Sequence, residues 1–154
     1  MRKHKMDKAG GAKPSAEPRP RIVAFCCENS AYKAAEPVRN DPLLKAVDLV
    51  KVPCAGDVDI PRILERLEQG VEQVLVLGCP IDNCQYISGN RRTRKRVAAA
   101  RRALKDLGMN EDRVRMEFLS SVDTHKFVAI LEKARAWNAA PPEDKRKNEE
   151  KKKP

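Results

Sequence analysis

The run Val74-Leu75-Val76-Leu77 is apolar at every position, stops at Gly78 and is followed at once by Cys79. Apolar residues without polar alternation suit a strand buried on both faces, which is the situation of a parallel sheet covered by helices. Parallel neighbours cannot be joined by hairpins. They need crossover segments, usually helical, so this one strand commits the chain to an α/β architecture. Cys84 comes in the loop that follows. Loops at the carboxyl ends of buried strands are where open α/β sheets place their ligands.

The rest of the chain repeats the same rhythm. Arg21–Phe25 reads as a first strand with Cys26 and Cys27 directly after it. Glu28-Asn29-Ser30 can cap a helix through Ala31–Ala35, which Pro37 should end. Asp41-Pro42 suits the start of a further turn, and Val47–Val52 is a second strand leading to Cys54. Asp59-Ile60-Pro61 opens a helix whose Ile60, Ile63, Leu64 and Leu67 share one face, with Gly70 as its left-handed stop. Gln73–Leu77 is the third strand. Ser88-Gly89-Asn90 caps a long basic helix over Arg91–Leu107, with Val97, Ala100, Leu104 and Leu107 as its apolar line and Gly108 as its end. Arg113–Leu119 is the fourth strand. Asp123-Thr124 caps a last helix from His125 to about Trp137. This order predicts one three-layer α/β domain over residues 21–138 with a four-stranded parallel sheet.

All five cysteines then fall where strands end. Parallel strands bring those ends to one edge, so the thiols should converge there. Convergent thiolates are what zinc or an iron–sulfur cluster requires. Ordinary buried cysteines would have no reason to follow three strand ends. Structural zinc sites favour two tight Cys-x2–4-Cys knuckles, and only Cys79 and Cys84 approach that here. Thiols spread over three loops suit a [2Fe–2S] cluster better. Side chains of Cys26 and Cys27 diverge, so one should bind and the other pack. The expected ligands are Cys54, Cys79, Cys84 and one of the pair, with Cys27 favoured because it lies further into the loop.

Five cysteines without an N-terminal apolar segment point to a reducing, cytoplasmic setting. The net charge of +10 is concentrated at the ends: residues 1–20 hold six basic and two acidic residues, and residues 141–154 hold six and four. Both ends, 1–20 and 139–154, are expected to be disordered tails. The run Arg91, Arg92, Arg94, Lys95, Arg96, Arg101, Arg102 reads first as a solvated face. Docking of an acidic redox partner comes next, and nucleic acid last, since interleaved aromatics are lacking. His125 reads as a capping or surface residue, because mixed histidine ligation would need two and the only other is His4. No set of residues suggests substrate turnover. A zinc-binding adaptor and a basic nucleic-acid module remain as alternatives to an electron carrier.

Phe25-Cys26-Cys27, Cys54-Ala55-Gly56 and Gly78-Cys79…Asn83-Cys84, followed by Ser88-Gly89-Asn90 and an arginine-rich helix, together resemble the delta subunit of methyl-viologen-reducing hydrogenase. The resemblance runs in order from about Arg21 to about Trp137. It implies an electron-transfer subunit that carries a [2Fe–2S] cluster between a hydrogenase or other dehydrogenase and a heterodisulfide-reductase-like flavoprotein. The family's first motif reads Cys-Cys-x-x-Cys, whereas this chain has Ser30 in the last position. Pro80 and Gln85 stand where the family often has histidine.

Overall fold

The structure is a computed structural model and describes residues 21–140. The segments expected to be disordered lie outside the described residues, apart from Ala139 and Ala140. Four strands and four helices alternate: β1 (Ile22–Cys27), α1 (Ala31–Ala35), β2 (Val47–Val52), α2 (Ile60–Glu68), β3 (Gln73–Gly78), α3 (Gly89–Asp106), β4 (Val114–Phe118) and α4 (Thr124–Ala139). The strands form one sheet in the order β2-β1-β3-β4, every pair parallel. The α/β expectation is met.

β1 and β3 are buried at every residue, so the absence of polar alternation in Val74–Leu77 is accounted for. Their alternate residues serve two cores. Ile22, Ala24, Cys26, Leu75 and Leu77 pack under α1 and α4, with Ala31, Ala34, Phe127 and Leu131. Val23, Phe25, Val74 and Val76 pack under α2 and α3, with Ile63, Val97, Ala100 and Leu104. A period of two along a strand and two covered faces make this the only way to bury both sets.

Local signals account for most boundaries. Asp41 accepts from the Leu43 N–H at 2.8 Å and Asp59 from the Arg62 N–H at 2.9 Å, each with proline in the first turn. Gly70 takes φ 91° after α2. Three expectations change. β1 runs on through Cys26 and Cys27, so the pair ends the strand instead of following it. α3 starts at Gly89, and its last apolar position, Leu107, is 75 % exposed beyond the turn that packs on the sheet. Ser30, Ser88 and Asp123 make no side-chain caps to α1, α3 and α4. Asp123 instead accepts from the Ser120 N–H at 2.8 Å and closes the preceding turn.

β1 has β2 on one side and β3 on the other, and the chain leaves it in opposite directions across the sheet. Ligand crevices open at such a reversal, beyond the carboxyl ends of the strands. Register places the thiols there: Cys27 is opposite Val52, two residues before Cys54, and Cys26 is opposite Leu77, two residues before Cys79.

Candidate metal centre

Four of the five thiols meet at this edge, as two pairs. The Cys27 and Cys79 sulfurs are 3.7 Å apart, and the Cys54 and Cys84 sulfurs 3.8 Å apart. Two thiolates on one tetrahedral metal, each at about 2.3 Å, stand about 3.8 Å from each other. Each pair therefore already has the separation that shared ligation demands. Among the described residues, no three His, Cys, Asp or Glu side chains group as the ligands of one ion. The donor set is two plus two.

Cys26 is not among them. It is fully buried in the core under α1 and α4, with its sulfur 3.5 Å from the Ala24 carbonyl. Burial, then the neighbouring Cys27, pushes its thiol up to about 12. The other thiols are held differently. Burial raises Cys54 to about 11, opposed by the Gly56 N–H, 3.3 Å from its sulfur, and reinforced by Cys84. Burial also raises Cys79, opposed by the Ser30 hydroxyl and reinforced by Cys27. At Cys84 burial is outweighed. The N–H groups of Asn90, Tyr86 and Gly89 and the Cys54 thiol all favour the thiolate, so its pKa falls. Two of those N–H groups belong to the first turn of α3, where unpaired amides and the helix dipole favour negative charge.

The centre depends on close contact between α3 and the turn Ala55–Asp57 that follows Cys54. A Cβ on Gly56 would lie 2.7 Å from the Gly89 Cα, and a Cβ on Gly89 would collide with the Cys54 sulfur. Only glycine at both positions lets backbone amides come this close to the sulfurs. Side chains one helical turn apart on α3 hold the turn in place. Thr93 Oγ1 donates to the Ala55 carbonyl at 2.5 Å, and Arg96 donates to the carbonyls of Gly56 at 2.7 Å and Val58 at 3.3 Å. Asn90 donates to the carbonyls of Cys79 at 3.0 Å and Pro80 at 2.8 Å, fixing the other thiol-bearing loop. Sequence reasoning gave Asn90 to a cap and Arg96 to a solvated face. The missed signal was the spacing Gly89/Asn90, Thr93, Arg96, which puts them on one helix face. The other early arginines differ. Arg92 and Arg94 are exposed, and Arg91 is exposed but pairs with Asp82.

The loop from Cys79 to Ser88 carries two non-glycine residues in the left-handed region, Asp82 (φ 67°) and Ile87 (φ 65°). The conformation is unfavourable for a β-branched residue, and such strain concentrates at functional sites. Ile87 is also 87 % exposed, with Tyr86 beside it and Val122 on the same edge after β4. His125, in the first turn of α4, is exposed, as is Gln85.

The chemistry the residues fit is sulfur ligation of a binuclear group: four thiols in two correctly spaced pairs, amide donors aimed at the sulfurs, and a backbone cradle closed to any larger side chain. Known proteins share much of this sequence. A family profile described as methyl-viologen-reducing hydrogenase, delta subunit, matches residues 22–136. The iron-sulfur subunit of the vhu F420-non-reducing hydrogenase of Methanopyrus kandleri is 38 % identical over 112 residues, 71 % of this chain and 85 % of that protein. Its counterpart in Methanocaldococcus jannaschii is 34 % identical over 114 residues, 73 % and 85 %. One subunit of the Ferredoxin/F(420)H(2)-dependent CoB-CoM heterodisulfide reductase of Methanosarcina acetivorans is 30 % identical over 110 residues, which are 70 % of this chain but 14 % of that longer protein. With the profile spanning the whole sheet and all five cysteines, the chain belongs to the methyl-viologen-reducing hydrogenase delta-subunit family.

Proposed function

We propose that the chain carries one [2Fe–2S] cluster and passes electrons between a hydrogenase or other dehydrogenase and a heterodisulfide-reductase-like flavoprotein. Cys27 and Cys79 would hold one iron, Cys54 and Cys84 the other. The observation that carries this reading is the two-plus-two pairing at 3.7 and 3.8 Å. A mononuclear zinc site would need the four sulfurs around one point. The cluster would supply reversible one-electron storage. The chain's residues would supply thiolate ligands, amide donors from Gly56, Gly89 and Asn90, and partial exclusion of water.

Several facts support the wider role. The hydrogenase relatives named above are called iron-sulfur subunits. A related stretch, 30 % identical over 110 residues, lies inside a heterodisulfide reductase polypeptide, so a flavoprotein of that kind is the expected partner. Among the described residues no helix is long and apolar enough to cross a membrane. Five free thiols fit a reducing cytoplasm. Arg96 and Arg101 of the basic helix are bonded inward to the protein, which weakens the case for a nucleic-acid face.

The test is the iron and acid-labile sulfide content of protein purified without oxygen, with a visible spectrum before and after reduction. About two irons and two sulfides per chain, with bleaching on reduction, are expected. Zinc without sulfide would replace the carrier with a structural adaptor.

A further inference from the structure

Ser30 is 2 % exposed, and its Oγ has no hydrogen-bond partner of ordinary geometry. It occupies the N-cap position of α1, where a serine hydroxyl usually accepts an N–H from the first turn. Here it makes no such bond. The serine backbone is fully used: its N–H donates to the Cys27 carbonyl at 3.2 Å, and its carbonyl accepts from Ala34 at 3.0 Å. Its side chain is therefore fixed in place, dry, and without a structural task. The N–H bond to Cys27 places the residue beside the Cys27–Cys79 pair, whose sulfurs are 3.7 Å apart, and in keeping with that placement the hydroxyl favours negative charge on Cys79. Buried polar atoms in native proteins are nearly always satisfied, and an exception calls for an explanation.

We infer that Ser30 is a positioning and tuning residue: with the cluster assigned above in place, its Oγ–H donates to the Cys79 sulfur and holds the reduction potential up. One-electron reduction adds negative charge that is shared with the ligating sulfurs. A donor aimed at one of them stabilises the reduced form more than the oxidised form. The hydroxyl neither gains nor loses its proton. Of the two pairs, only Cys27–Cys79 has this side-chain donor, whereas the Cys54–Cys84 pair is served by backbone amides. A different donor at each pair makes the two irons inequivalent.

The experiment compares the full chain with Ser30→Ala and Ser30→Thr, all purified without oxygen, in redox titrations followed by visible and electron-paramagnetic-resonance spectra. Iron and sulfide content is measured on each. Ser30→Ala should keep the cluster and lower the reduction equilibrium constant about tenfold, a shift of about 59 mV for one electron. Ser30→Thr, which keeps the hydroxyl, should restore most of that shift. An unchanged potential in Ser30→Ala with a full cluster would overturn the inference. So would loss of iron in Ser30→Ala, because Ser30 would then be a ligand and not a donor. A wild-type chain without iron and sulfide would instead defeat the cluster assignment itself.

Discussion

At the scale of single residues, the adjacent pair Cys26 and Cys27 shows how one step of strand pleat separates two fates. Both are buried, yet one faces the core under α1 and α4 and the other the crevice. Cys26→Ala should keep full iron and sulfide at a stability cost of about 1 kcal/mol, whereas Cys27→Ala and Cys79→Ser should lose the metal while keeping the α/β circular-dichroism signature. Elemental analysis of the purified variants checks this. Thiol reactivity gives an independent comparison in the metal-free chain. Cys84 has a pKa below the ordinary 9.0 and is the most exposed of the five, while Cys26 is raised to about 12. A lowered pKa leaves more thiolate at a given pH, so iodoacetamide should modify Cys84 first and Cys26 last. The Cys84 rate should reach half its maximum below pH 9.0. Peptide mapping by mass spectrometry across pH would read both. The divergence of neighbouring side chains was legible in the sequence. Cys27 was favoured for lying further into the loop, whereas the structure separates the two by the face of β1 on which the crevice opens. The role inferred for Ser30 was hidden, because a serine before Ala31–Ala35 looks like a helix cap.

At the scale of elements, the centre is a joint between α3 and the two loops that carry Cys54, Cys79 and Cys84. Gly89→Ala drives a methyl into the Cys54 sulfur. It should abolish iron incorporation and lower Tm by roughly 5–10 °C, the effect of about 2 kcal/mol of overpacking in a domain of this size. Arg96→Ala removes two charge-assisted bonds to the Gly56 and Val58 carbonyls. It should cost about 2 kcal/mol and speed the loss of iron to a chelator, measured as bleaching over time. Strands, crossover helices and the Asp41 and Asp59 caps could be read from the chain because each rests on residues within a few positions of one another. The inward arginines could not, since their partners lie about forty positions back. The exposure of Leu107 could not either, because helical periodicity runs on past the point where the sheet beneath it ends.

At the scale of the molecule, the thiol edge also carries the apolar residues Tyr86, Ile87 and Val122 in the open, with basic Arg92 and Arg94 on the adjoining helix. An exposed, strained isoleucine beside the centre suits an interface that covers it. Ile87→Glu should leave iron content and potential unchanged and reduce the rate of electron transfer to a flavoprotein partner at least tenfold. Stopped-flow kinetics would measure this, with raised salt slowing the wild type through its basic residues. The opposite edge behaves differently. Arg21, just before β1, donates to the carbonyl of Asn138 near the end of α4 at 3.3 Å, so the chain enters and leaves the domain at one point. β1 separates that point from Cys27 by six residue steps, about 20 Å. A unit tethered by adjacent ends on its far side can be spliced into another polypeptide with two short linkers and no disturbance of its working face. A related stretch makes up most of a hydrogenase iron-sulfur subunit in Methanopyrus kandleri and 14 % of a longer heterodisulfide reductase polypeptide in Methanosarcina acetivorans.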